Sequence, residues 1–202
     1  MNSKIIDKIT KLSLSKNNDY YAIHGTSFEL IENLVFTGKI SNGGNFDNYF
    51  YLLIDPNSKG VNIEEAALFY ANVNAVKDYI KEKFPDLFNK ISSNNFDPYL
   101  YTTSIGSLMS LTDGEDVPKY FNFLSEIEIE QIKNAILETK KEDRQGILLK
   151  FSSKLKDIWK IPEPSSAGQT KILLKEPLTI DCLSSIELLG EYEKQQLKLL
   201  AE

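Results

Sequence analysis

A chain of 202 residues with 42% apolar side chains can bury one core or two small ones, and its formal net charge of −6 supplies no overall basic field to hold a phosphate backbone. No apolar run approaches the roughly 18 residues of a membrane span, and the opening Met1 to Asp19 mixes Lys and Asp with apolar residues where a secretion signal would be continuously apolar. One Cys (Cys182) and one His (His24) exclude an intrachain disulfide and argue against a closed zinc site, so no metal is expected.

Residues 1–18 read as a short amphipathic helix with Ile5, Ile6, Ile9 and Leu12 on one side, ending in the polar tract Ser15 to Asp19. A first strand, Tyr20 to Ile23, stops at His24-Gly25-Thr26-Ser27, where glycine permits a turn and Thr26 with Glu29 has capping-box spacing. A helix from about Ser27 to Thr37 follows, with Phe28, Ile31, Leu34 and Val35 on one face and Gly38 placed as its C-cap. Ser41 to Asn45 is a loop, and Tyr49 to Ile54 is a buried strand ending at Asp55-Pro56. Asn62 with Glu65 starts the next helix, whose apolar positions Ala66, Phe69, Tyr70, Val73, Val76 and Ile80 carry the helical period to Phe84-Pro85.

Residues 86–142 are expected to be a helical insertion packed on one side of the sheet, with a helix from Ser125 to Lys140, a Ser125/Glu128 capping box, and Ile129, Ile132 and Ile136 inward. From Gly146 the pattern returns to strands at Ile147 to Phe151, Lys171 to Leu174 and Leu178 to Ile180, and Glu191 to Glu202 is a charged terminal helix. The order of elements, with no internal repeat, gives a single α+β domain over residues 1–202. The residues themselves describe a small-molecule cleft: a His and a Gly at a strand end beside a helix start, with Tyr51 on a second strand and Tyr70 on the following helix.

The run Tyr21-Ala22-Ile23-His24-Gly25-Thr26-Ser27, then Gly38, then Tyr51, then Glu65-Ala66-Ala67-Leu68-Phe69-Tyr70-Ala71 resembles the ADP-ribosyltransferase superfamily, in the His-Tyr-Glu branch that includes diphtheria-type toxins and poly-ADP-ribose polymerases. The resemblance spans roughly residues 20–75 and 146–186. It implies a split β-sheet core with helices, and NAD as a substrate bound by His24, Gly25, Thr26, Tyr51 and Tyr70. His24 would hold the nicotinamide ribose, the Gly25 backbone would bond the carboxamide, and Tyr70 and Tyr51 would take the two faces of the departing ring.

The family's third residue, a Glu early in a late strand, corresponds here to Lys171 within Ser165-Ser166-Ala167-Gly168-Gln169-Thr170-Lys171. A cation beside the developing oxocarbenium ion is repelled by ~4 kcal/mol at about 4 Å and an effective dielectric near 20, so the catalytic set His24, Tyr70, Gln169 and Lys171 departs from the family where charge matters most. Glu163 or Glu176 could serve through another register, although Pro164 and Pro177 flank them; Gln169 could orient an acceptor; or Lys171 could mark a protein that binds a nucleotide without cleaving it.

Two functions follow as expectations. One is an NAD-binding transferase of toxin or effector type, acting on a macromolecule, with protein favoured over nucleic acid as acceptor. The other is a catalytically silent binding module of the same fold that works through protein-protein contacts. The location expected is the cytoplasm, or a target cell reached through a specialised secretion system. A helix-rich scaffold in which His24 is structural stands as a third reading. RNA 2′-phosphotransferase relatives need two His and several Arg, which this chain lacks.

Overall fold

The computed structural model describes residues 2–17, 19–40, 49–54, 62–93, 122–158, 169–173 and 177–202. Its elements run α1 (Ser3–Leu14), β1 (Ala22–Thr26), α2 (Glu29–Thr37), β2 (Lys39–Ile40), β3 (Tyr49–Leu53), α3 (Ile63–Lys83), α4 (Pro85–Ser93), α5 (Glu126–Thr139), β4 (Ile147–Phe151), α6 (Lys154–Ile158), β5 (Gln169–Leu173), β6 (Leu178–Thr179), a 3₁₀ turn (Ile180–Cys182), β7 (Leu183–Leu188) and α7 (Glu191–Ala201). The fold is α+β. It divides into two compact units, one of residues 1–71 with 144–202 and one of residues 72–143, and the division falls inside α3 after Ala71.

The first unit is built on an antiparallel sheet in the order β5-β3-β1-β4-β7, with a separate β2-β6 pair. β1 and β4 pair along their whole length, Ala22 opposite Phe151 through Thr26 opposite Ile147. β3 and β5 do the same, from Tyr49 opposite Leu173 to Leu53 opposite Gln169. Between these two pairs, the register among the described residues is confined to Ile23 opposite Leu53, so β1 and β3 meet at one point while each is fully zipped to its other neighbour. Ile9, Ile31, Leu34, Leu149, Phe151 and Leu197 belong to the main core, which gathers the apolar faces of α1, α2 and α7 with the sheet. A smaller cluster of Ile23, Leu53, Ala67 and Leu148, with Ile63 against it, ties the start of α3 to the sheet.

Local sequence explains most of these elements. Ile6 and Ile9 are buried and Ile5 and Leu12 pack partly against the core, as the period of α1 requires. Gly38 ends α2 at φ 74°, with its N–H donating to the Leu34 carbonyl at 2.8 Å. Asn62 caps α3, its Oδ1 accepting from the Glu64 and Glu65 N–H groups at 3.2 and 3.3 Å.

Four expectations are corrected. β1 begins at Ala22 and continues to Thr26, so His24 and Gly25 lie inside a strand and not in a turn after one. Thr26, paired to Ile147, cannot cap a helix; α2 starts after Phe28, which has helical backbone angles, makes no side-chain cap and is buried. Phe69 is 41% exposed, because the buried side of α3 in this stretch runs through Ala67 and Ala71. Residues 183–188, for which no element is expected, form β7, the six-residue strand at one end of the sheet.

In the second unit the described residues of 86–142 are mostly helical, in α4 and α5, with turns at 122–125 and 140–142 and no strand among them, while 94–121 lie outside the described residues. Ser125 Oγ accepts from the Glu128 N–H at 3.3 Å and Glu128 Oε2 accepts from the Ser125 N–H at 2.7 Å, which is the expected capping box. Ile132 and Ile136 are fully buried with Val73, Val76, Ile80, Leu87 and Ile91, and Ile129 packs partly against them.

Candidate functional site

The face of the sheet that carries the start of α3 holds a groove of about 610 Å³. Its floor is Ile23, Leu53 and Leu148, one wall is the first turn of α3 at Asn62 to Glu65, and the other is formed by Tyr20, Lys150 and Glu187. An apolar floor with a few convergent polar groups is the ordinary make-up of a small-molecule site. Lys150, only 13% exposed at its side chain, pairs with Glu187 at 2.8 Å and lies 5.3 Å from the centroid of the Tyr20 ring. That lysine is therefore neutralised on one side and seated over an aromatic face on the other.

Gly25 is where α3 presses on β1. A Cβ built on Gly25 would stand 2.4 Å from the Ile63 carbonyl oxygen and 3.1 Å from the Ala67 nitrogen, so only glycine admits the helix at this distance. Gly146, entering β4 at φ 84°, makes the same allowance one strand away, with the Ala67 oxygen 2.6 Å from its Cβ position. Its N–H donates to Glu193 Oε1 at 2.8 Å, and Gln145 N–H donates to the same oxygen at 3.1 Å. Glu193 is completely buried on α7, and among the described residues its Oε2 has no hydrogen-bond partner. On this charged terminal helix the Glu193 carboxylate thus anchors the turn beneath α3.

Successive residues of a strand face opposite ways, and Gly25 faces α3. The His24 side chain is accordingly turned to the other face, with Ala22 and the cross-strand Leu149, and is 9% exposed. Tyr70 rides on α3, half-buried, with its ring edge-on to Phe69 at 5.5 Å. The structure does not bring the His24 side chain to the face that carries α3 and Tyr70. Thr26 ends β1 opposite Ile147 and is half-buried.

What the fold does bring together is the strands that carry the motif. β1 with His24 and Gly25, β3 with Tyr51, and β5 with Gln169 and Lys171 are consecutive in the sheet. Tyr51 stands opposite Lys171, and Gln169 stands opposite Leu53, which in turn stands opposite Ile23. Lys171 is the third residue of β5 and not, as expected, its first, because the strand starts at Gln169. Glu163 and Glu176 lie outside the described residues.

Sequence reasoning missed Tyr20, Lys150 and Glu187. Lys150 had a signal: it is the one charged residue in the apolar run Ile147 to Phe151, a position that a strand can keep only if the charge is paired or reaches water. Glu187 had none, since β7 itself was not recognised. Comparison with protein-family models, with curated proteins and with solved structures yields no match for this chain.

Proposed function

We propose that this chain is an ADP-ribosyltransferase-like protein that binds NAD at the parting of β1 and β3, and that Lys171 makes it slow or inactive in cleaving the nicotinamide bond. The observation that carries the reading is the sheet order β5-β3-β1, which sets the strands bearing Lys171, Tyr51 and His24-Gly25 side by side, with β1 and β3 joined only near Ile23 and Leu53 among the described residues. The groove beside this parting supports the reading with an apolar floor on which a nicotinamide ring can lie and with Lys150 and Glu187, which can hydrogen-bond ribose hydroxyls. Gly25 supports the reading through its backbone alone: α3 covers its face, so a carboxamide reaches it along the strand edge toward β3. His24 supports it least, its side chain being on the far face of the sheet.

In this reading a macromolecular acceptor, protein rather than nucleic acid, takes the ADP-ribose if transfer occurs. The alternative is a binding module that holds the nucleotide and never cleaves it; the register that sets Lys171 opposite Tyr51 favours it, because it keeps a cation on the strand next to the motif tyrosine. Nicotinamide release from NAD by the unaltered chain and by Lys171→Glu separates them. A positioned charge in the transition state is worth about 10²–10³ in rate, and the substitution is expected to raise release by at least that range. NAD binding without release by either protein establishes the binding module. Vigorous release by the unaltered chain, unchanged in Glu163→Gln and Glu176→Gln, would contradict the assignment of Lys171 to the catalytic position.

A further inference from the structure

A second groove, of about 740 Å³, runs along β7 between the last turn of α1 and α7. Leu14, Ile186, Leu188 and Leu197 supply apolar lining, and Lys16, Lys194 and Lys198 stand on its borders. Lys194 and Lys198 are one turn apart on α7 and so share a face. Leu14 is 77% exposed, which leaves a large apolar side chain open to solvent beside a cluster of positive charge. Among the described residues the one carboxylate in the lining, Glu187, is already paired with Lys150, and Lys194 is paired with Glu191 at 2.5 Å. Among the described residues no carboxylate pairs with Lys16 or Lys198. In a chain of net charge −6 this is a local reversal of sign, and it surrounds an apolar trough.

From this geometry we infer a binding site for a single-chain amphiphilic anion, its alkyl tail lying on Leu14 and Leu188 above the buried Ile186 and Leu197 and its head group between Lys16 and Lys198. The volume is that of a small-ligand pocket, which accommodates an extended alkyl chain rather than a protein face. Lysine ammoniums act as point charges and accept a carboxylate or a phosphate head alike. The site is separate from the α3 groove except at the Lys150–Glu187 pair, which borders both, and the inference does not depend on NAD binding.

Lysines near helix C-termini also offset the helix dipole, and a test has to separate that role from ligand binding. Titration with dodecanoate, dodecyl phosphate, dodecanol and dodecyltrimethylammonium, each below its micellar concentration, does so. Saturable binding of the two anions is expected, with the alcohol and the cation at least tenfold weaker; the tighter of the anions identifies the head group. Lys16→Gln and Lys198→Gln should each weaken the preferred anion about fivefold, the range of one partly screened charge, while Lys39→Gln, outside the groove, leaves it unchanged. Ser13→Trp, checked for native circular dichroism, should abolish binding by filling the trough. Equal affinity for the alcohol, indifference to both lysine substitutions, or no binding of either anion overturns the inference. So does binding of an acidic amphipathic peptide where both alkyl anions fail.

Discussion

Gly25, Gly146 and one buried carboxylate set the fine geometry around α3, Gly38 ends α2, and the constraints on the three glycines differ in kind. At Gly38 the demand is conformational, φ 74° with the nearest side-chain atom 3.4 Å from a Cβ; at Gly25 it is spatial, with backbone oxygen at 2.4 Å; at Gly146 both apply. Alanine at Gly38 is expected to cost about 1 kcal/mol, at Gly25 about 1–3 kcal/mol, and at Gly146 more than at either, because backbone atoms of α3 cannot yield as a flexible side chain does. Urea unfolding of the three variants checks that order, and Gly25→Ala as the mildest of them would contradict the close packing of α3 on β1. Glu193→Ala removes the acceptor of the buried Gly146 N–H and the part-buried Gln145 N–H and should cost about 1–3 kcal/mol. Glu193→Gln keeps an acceptor oxygen and should be the milder change, measured by the same unfolding midpoint.

At the scale of elements, legibility followed from whether a local signal decided the outcome. α1, α2, α3 and α5 were readable because their apolar periods and their end signals at Gly38, Asn62 and Ser125 act within one or two turns. Strand ends were not, since the extension of β1 through His24 and Gly25 is dictated by five pairings to β4, a segment more than a hundred residues away. β7 was missed because Leu183-Ser184-Ser185-Ile186-Glu187-Leu188 shows no clean alternation; Ser185 is buried under α1's exit, its Oγ donating to the Asn17 carbonyl. For the candidate site, the face that His24 and Gly25 take was not legible, because it depends on β1 running on through both of them. The α5 capping box also gives a pH signature. The Lys90 ammonium bonded to Glu128 at 2.7 Å, helped by the Ser125 N–H, holds that carboxyl below its ordinary value. A carboxylate so lowered stabilises the fold above its unfolded pKa, and that contribution is lost as pH falls through the folded one. Glu128→Gln should therefore cost about 1 kcal/mol at neutral pH, with the gap to the unaltered chain narrowing as the solution is acidified below the carboxylate range. Asp181, lowered by its bond from Lys8, adds a like slope to both proteins and cancels in the comparison. Parallel stability curves for the two proteins would contradict the role given to Glu128.

For the whole molecule, the first unit holds the sheet, the α3 groove and every motif residue, and the second holds the helical cluster around Ile132 and Ile136. No helix among the described residues is long and apolar enough to cross a membrane. The central claim is that the parting of β1 and β3 is a nucleotide site, and it stands or falls on binding before any chemistry is considered. Isothermal titration of the unaltered chain with NAD tests it most directly. One saturable site per chain is predicted, weakened by at least tenfold, about 1.4 kcal/mol, when Leu53→Trp fills the groove floor in a protein whose circular dichroism is native. A chain that gives no heat with NAD over the millimolar range, or whose binding is indifferent to Leu53→Trp, would contradict the account.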